Sequence, residues 1–263
     1  MTEALRALAA LAEPPCVQHA AIAHALALPA VPPADEHTDA LVFQVYPYAS
    51  VYLGAEGKLG GEARDRIAGF WRALGAEPPP EPDHATTLLA ALAALAGDDA
   101  RMAAARRVLY WEHVASWMPP FLAALARVGS PFYVAWAERV GEVLAAEAAV
   151  LGPPPVPPAS FRAPPIAAPE SLDALIAMLL APVRVGTLLV RDDLARCADA
   201  LALGLRAGER AYALRALLAQ DPPGVLAWIA GELRAQAAGY AGDVVGTWWR
   251  ARAHAAADVL EAL

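Results

Sequence analysis

The chain has 263 residues and a formal net charge of −8, from 20 basic and 28 acidic side chains. Residues 1–150 hold 17 of the acidic and 10 of the basic side chains, so the acidic excess lies in the first part. This balance argues against nucleic acid as the main partner. It favours a basic ligand such as an arginine-rich peptide, although an acidic surface also serves solubility alone.

Alanine and leucine dominate the composition, and both are strong helix formers, so we predict an all-α protein. Apolar periodicity and the positions of proline and glycine predict the helices of the first part, over 3–12, 16–28, 62–74, 84–96, 100–117, 121–125 and 131–151. Between the second and third of these lies an apolar, aromatic stretch, Leu41–Leu53. Asp83 is predicted to be the N-cap of the helix over 84–96, with His84 in its first turn. Ser130-Pro131 is a strong helix start, since proline suits the first helical position.

Residues 152–169 hold eight prolines, which predicts a linker or an extended wrap rather than a packed element. This segment separates a helical region over 1–151 from a C-terminal helical region over 170–263. The second region forms a domain of its own or packs into the first. The fold expected is thus one large helical domain or bundle with a C-terminal helical extension. Its helices are predicted over 170–181, 192–204, 208–220, 223–238 and 241–262, with Asp192 as an N-cap and a short strand over 182–190.

The N-terminus lacks the features of a secretory signal peptide, because Glu3 and Glu13 are acidic and Pro14-Pro15 interrupts the apolar run. No window reaches the ~20 uncharged apolar residues of a membrane span. Cys16 and Cys197 lie far apart and in no metal-binding spacing, so we expect each to be a small buried apolar residue. These features predict a cytoplasmic protein that is not inserted in a membrane.

The sequence contains none of the common catalytic or metal-binding motifs. Gly57-Lys58 resembles the end of a phosphate loop, but Tyr52 and Leu59 stand where that motif needs Gly and Ser or Thr. The acidic patch Asp35–Asp39, which includes His37, has no second ligand cluster and is interpreted as a solvated helix start. We therefore predict a protein that is not an enzyme, with no catalytic residue, cofactor or metal.

Four short stretches stand in order between residues 45 and 140. They are Tyr46–Leu53 (YPYASVYL), Glu81–His84 (EPDH), Trp111–Pro119 (WEHVASWMP) and Pro131–Tyr133 (PFY). Together they resemble the aromatic segment, the E-P-D-H hinge, the E-H-x-x-x-W-x-P helix end and the P-F-Y helix start of one family. That family is the TorD/DmsD/NarJ chaperones for molybdoenzymes.

The resemblance implies an all-helical, non-catalytic, cytoplasmic chaperone. It would bind the catalytic subunit of a bis-molybdopterin guanine dinucleotide enzyme of the DMSO reductase family, or the twin-arginine signal peptide of that subunit, and assist cofactor insertion before export. A monomer and a homodimer both fit the sequence. A helical adaptor that binds another folded protein is the alternative.

A twin-arginine peptide has a basic start and an apolar middle, so its binder needs carboxylates beside an aromatic groove. Core packing is the alternative role for the two tryptophans. The residues expected to contact the client are Tyr46, Tyr48, Glu81, Pro82, Asp83, His84, Trp111, Glu112 and Trp117.

Overall fold

The computed structural model describes residues 1–97, 99–154 and 156–263. Over these ranges the chain is helical and contains no strand, so the predicted all-α class is confirmed. No helix in the described ranges is both long and apolar enough to cross a membrane. The α-helices are α1 (Thr2–Ala10), α2 (Val17–Ala25), α3 (Ala34–Thr38), α4 (Ala49–Leu53), α5 (Gly61–Ala73), α6 (Ala85–Ala94), α7 (Ala100–Val108), α8 (Met118–Val128), α9 (Pro131–Leu151), α10 (Leu172–Leu179), α11 (Pro182–Val185), α12 (Arg191–Ala200), α13 (Arg210–Leu218), α14 (Pro222–Ala237) and α15 (Val244–Glu261).

One apolar core runs through both parts of the chain. Alanines allow helices to approach closely and leucines fill the space between them, as where α1 packs on α6 and α14 packs on α15. Two buried tryptophans cross-link distant segments through their indole N–H groups. Trp136 donates to the Leu8 carbonyl at 3.1 Å, and Trp249 donates to the Ser116 carbonyl at 2.9 Å. The division into regions 1–151 and 170–263 stays a prediction, although both regions contribute side chains to this core.

Two helical segments are wound more widely than an α-helix. Asp39–Gln44 follows α3 directly, and Leu109–Ala115 continues α7, and both are π-helical. The helix predicted over 100–117 therefore changes its winding midway. Wider turns of this kind often occur at functional sites because they re-aim side chains.

The proline-rich segment wraps over the helices and is held at several points. Within it, Ala159–Arg162 forms a 3₁₀ turn. Phe161 in that turn stacks on Trp248 of α15, with ring centroids 4.7 Å apart and planes 9° apart. Further along, the Pro164 carbonyl accepts a hydrogen bond from Arg252 at 2.6 Å. Contacts of this density fix the segment against α15.

The short strand predicted over 182–190 is wrong. Pro182–Val185 forms α11, with Pro182 in its first turn, where the missing N–H costs nothing. Gly186 ends this helix with φ of +78°, and a Cβ there would lie 2.3 Å from the Ala253 nitrogen. The glycine thus permits both the left-handed conformation and the close approach of α15.

Two predictions about single residues are also wrong. Val190, not Asp192, is the N-cap of α12, and the carboxylate of Asp193 reaches back to accept from the Val190 N–H at 2.8 Å. Cys16 is exposed, whereas Cys197 is buried as predicted. The choice of N-cap and the burial of a single cysteine both depend on tertiary packing, which local sequence rules do not describe.

Candidate functional site

Asp83 lies at the N-terminus of α4 and does not cap the helix that follows it. Its carboxylate accepts a hydrogen bond from the Ser50 N–H at 3.1 Å, and its main-chain carbonyl accepts from the Ala49 N–H at 3.0 Å. The side chain is only 1% exposed. Unpaired N–H groups at a helix start need acceptors and favour negative charge. The predicted N-cap role of Asp83 for the helix over 84–96 is therefore wrong, and Asp83 stabilises a helix that lies earlier in the chain.

His84 is the N-cap residue of α6, one position before the helix rather than in its first turn. Its Nδ1 accepts a hydrogen bond from the Thr86 N–H at 3.3 Å, which requires an unprotonated nitrogen. Its ring meets Tyr48 edge to face, with centroids 4.8 Å apart. Burial lowers the pKa of His84, and nearby carboxylates, Glu13 foremost, act against this. The neutral ring thus serves as a helix cap and packs on the aromatic segment.

Glu81 is the exposed member of the hinge, whereas Pro82 is buried. The Tyr48 hydroxyl donates to the Glu81 carboxylate at 2.9 Å. Burial and this hydrogen bond raise the pKa of Tyr48, so the phenol stays protonated. A groove of about 350 Å³ opens beside the pair. It is lined by Tyr48, Leu59, Gly60, Arg64, Pro80, Glu81 and Asp83.

Exposed carboxylates on two other segments act on side chains at the hinge or beside His37. Glu13 acts electrostatically on both His37 and His84. Glu36 acts on Tyr133, whose hydroxyl lies 2.7 Å from Nδ1 of His37. We call Glu13, Glu36 and Glu81 the acidic face. The acidic patch Asp35–Asp39 was predicted to be a solvated helix start. Its carboxylates are exposed, but His37 within it is buried.

No group of three or more His, Cys, Asp or Glu side chains over 1–97, 99–154 and 156–263 is arranged to hold a metal ion. The histidines near the hinge instead take structural partners. His37 bonds to Tyr133, and His84 caps α6. What this region offers chemically is exposed carboxylate beside aromatic rings, which suits a basic ligand.

Trp111 and Glu112, both predicted to contact a client, anchor the proline-rich segment. The Trp111 indole N–H donates to the Gly152 carbonyl at 3.1 Å. The Glu112 carboxylate accepts from the Ala159 N–H at 3.0 Å. Neither residue lines the groove at Glu81. Both side chains therefore hold the segment after α9 against the π-helical segment Leu109–Ala115.

Tyr46 and Trp117, the other predicted contacts, also lie outside the groove at Glu81. Trp117 is fully buried and packs against Tyr52, with ring centroids 5.2 Å apart. Tyr46 is half-buried, and the guanidinium of Arg210 lies over its ring, 5.6 Å from the centroid. Of the predicted residues, the structure brings together Tyr48 and the four residues Glu81–His84.

Ser50 belongs to the same cluster, although sequence reasoning did not single it out. It is fully buried, its N–H binds Asp83, and its hydroxyl accepts from the Gly60 N–H at 3.1 Å. It thereby fixes the loop that carries Gly60 at the edge of the groove. Its place as the serine within the Tyr46–Leu53 stretch (YPYASVYL) was the available signal.

Residues 34–123 match the family model described as the nitrate reductase delta subunit. This match covers the aromatic segment, the hinge and every residue that lines the groove at Glu81. The matched family is a molybdoenzyme maturation chaperone family within the TorD/DmsD/NarJ chaperones, so the resemblance predicted from the motifs is confirmed. A comparison with the curated proteins found no match to this chain.

Proposed function

We propose that this chain, whose residues 34–123 match the nitrate reductase delta subunit family, is a cytoplasmic, non-catalytic chaperone that binds a molybdoenzyme catalytic subunit before export. In this proposal the client is a bis-molybdopterin guanine dinucleotide enzyme of the DMSO reductase family, and binding assists cofactor insertion. The twin-arginine signal peptide of the client is the ligand of the hinge. The observation that carries the proposal is that the family match covers a hinge whose Glu81 carboxylate stays exposed within the acidic face.

The acidic face supports binding of the basic start of such a peptide. Guanidinium groups form their strongest hydrogen bonds with carboxylates, often through two parallel bonds. Glu13, Glu36 and Glu81 are all exposed and carry this charge on three separate segments. Tyr48 already holds the Glu81 carboxylate at 2.9 Å, so less side-chain freedom is lost on binding.

Exposed apolar side chains near the same segments support binding of the apolar part of the peptide. Leu59, which lines the groove, is 59% exposed, and Phe43, three residues before the aromatic segment, is 50% exposed. The buried Asp83 takes part by fixing the hinge to α4 rather than by meeting the client. Client contact by Tyr46, Trp111, Glu112 and Trp117 stays a prediction.

Arg64 is the basic side chain at this groove, and it opposes a basic peptide. Its guanidinium donates to the Pro80 carbonyl at 2.9 Å and lies among the groove-lining residues. Repulsion between like charges lowers affinity. We therefore expect Arg64→Gln to tighten binding of a twin-arginine peptide.

The proposal is tested by fluorescence anisotropy with a labelled peptide that carries two consecutive arginines before an apolar stretch. The same peptide with both arginines replaced by glutamine is the ligand control. Glu81→Gln should weaken binding of the first peptide by roughly threefold to tenfold, the range of an exposed charge-assisted bond. Glu142→Gln, on the exposed surface of α9, is the matched protein control and should change nothing.

Equal affinity for the two peptides, or an equal effect of Glu81→Gln and Glu142→Gln, would contradict the assignment of the hinge. Affinity purification from the native host tests the wider proposal. Recovery of a molybdoenzyme catalytic subunit supports the chaperone, and recovery of an unrelated folded protein in its place supports the adaptor.

A further inference from the structure

A second cavity, of about 650 Å³, lies where the proline-rich segment crosses α5, α10, α11 and α15. It shares no lining residue with the groove at Glu81. Its lining includes four arginines from four separate segments: Arg66, Arg162, Arg184 and Arg252. We call this space the arginine cavity.

None of the four guanidinium groups forms an ion pair with a carboxylate in the described part of the chain. Glu62 and Glu170 also line the cavity, so its side chains leave an excess of positive charge. That excess stands within a chain whose net charge is −8. An anion in the cavity would relieve the repulsion between these arginines.

Arg252 is the most enclosed of the four, and its position is fixed by the main chain. Its guanidinium donates to the Val183 carbonyl at 3.1 Å and to the Pro164 carbonyl at 2.6 Å. Burial and the nearby Arg184 both lower the pKa of Arg252. These contacts leave the guanidinium oriented and without a counter-charge.

Ser160 supplies a further hydrogen-bonding group at the wall of this cavity. It is 9% exposed and lines both the arginine cavity and a small neighbouring cavity of about 20 Å³ beside Glu112 and His113, and its buried hydroxyl oxygen has no hydrogen-bond partner in the described part of the chain. A buried hydroxyl without a partner is costly and rare in native proteins. The stack of Phe161 on Trp248 fixes the 3₁₀ turn that carries Ser160 and Arg162, so both side chains are held at the cavity.

We infer that the arginine cavity binds an organic phosphate ester. The phosphate group would accept hydrogen bonds from the arginines and from the Ser160 hydroxyl, since the planar guanidinium fork matches phosphate oxygens. The organic part would lie on the apolar wall, because the volume is that of a cofactor-sized site and far exceeds one phosphate. That wall is formed by Pro164, Pro165, Ile166 and Met178.

Isothermal titration calorimetry with inorganic pyrophosphate and with adenosine diphosphate tests the inference, since the two probes carry the same diphosphate with and without an organic group. The wild-type protein should bind both, and adenosine diphosphate more tightly. Arg162→Gln and Arg184→Gln should each lower the affinity for both probes by roughly tenfold, because one charge-assisted contact is lost. Both side chains are exposed, so the fold should survive, which circular dichroism checks.

Two further variants separate the phosphate site from general charge effects. Arg139→Gln, at a half-exposed arginine on α9, removes the same charge elsewhere and should leave both affinities unchanged. Ile166→Gln should lower the affinity for adenosine diphosphate and leave the affinity for pyrophosphate unchanged. Absence of binding to both probes, or an Arg139→Gln effect equal to that of Arg184→Gln, overturns the site. Equal affinity for the two probes overturns the assignment of an ester.

Discussion

Asp83→Ala provides a direct test of how the hinge is built. In the structure the Asp83 carboxylate is buried and accepts from the Ser50 N–H at 3.1 Å. Alanine removes that acceptor and leaves the main-chain N–H enclosed without a partner. Loss of an N-cap acceptor costs about 1 kcal/mol, and an unsatisfied buried donor adds a comparable amount. We therefore expect the free energy of unfolding to fall by about 2 kcal/mol.

The loss is measured by chemical denaturation followed by far-ultraviolet circular dichroism. For a chain of this size, about 2 kcal/mol corresponds to a drop in melting temperature of roughly 4–8 °C. Asp83→Asn is the matched control, because its amide oxygen can still accept from the Ser50 N–H while the charge is lost. It should cost no more than about 1 kcal/mol.

The reasoning is refuted if Asp83→Ala unfolds within about 0.5 kcal/mol of the wild type, the range of neutral surface substitutions. It is also refuted if Asp83→Asn is as destabilising as Asp83→Ala. In that event the charge, rather than the hydrogen bond to α4, would carry the effect. If Asp83→Ala then weakened peptide binding without lowering the free energy of unfolding, Asp83 would be a direct contact of the client peptide rather than a support of the hinge.

Two other predictions concern buried charge. Asp193→Ala should lower the free energy of unfolding by about 3–5 kcal/mol, because it strips the half-buried Arg127 of its partner at 3.0 Å. Asp192→Ala, with a side chain 51% exposed, should cost less than about 1 kcal/mol in the same denaturation experiment. Burial, assisted by the charge of Arg66, lowers the pKa of His113 to about 4, so the unfolded chain binds the proton more readily. The stability due to neutral His113 is complete above about pH 6.5 and is lost as the pH falls towards about 4, by about 3 kcal/mol in all. In His113→Asn the free energy of unfolding should depend less on pH between about 6.5 and 4 than in the wild type. An equal pH dependence in the two proteins would contradict the role given to His113.

Much of the fold follows from local sequence. The alanine and leucine content predicts the all-α class, and most helices lie within a few residues of their predicted bounds. Ser130-Pro131 starts α9 where it was predicted to do so. These successes share a cause, because helix periodicity and proline geometry act over about four residues. The predicted strand over 182–190 is wrong because the left-handed turn at Gly186 and the close packing of α15 set the conformation of that segment.

The candidate site was only partly accessible from sequence. The motifs identified the hinge and Tyr48, which the structure brings together. They did not distinguish residues exposed at a surface from those that anchor the chain. Trp111 and Glu112 hold the proline-rich segment, and Trp117 lies in the core. An aromatic residue at helical spacing has the same local pattern in either setting.

The sequence by itself determined the helical class, the acidic first part and an order of motifs that resembles the family matched by residues 34–123. Only the tertiary structure decided which partner each polar group takes. Asp83 binds a helix start 33 residues earlier in the chain, and Asp193 pairs with Arg127 66 residues away. Helix propensity is a property of neighbouring residues, whereas these pairings depend on how helices pack into one core. Packing therefore sets which carboxylates are buried with a partner and which stay exposed.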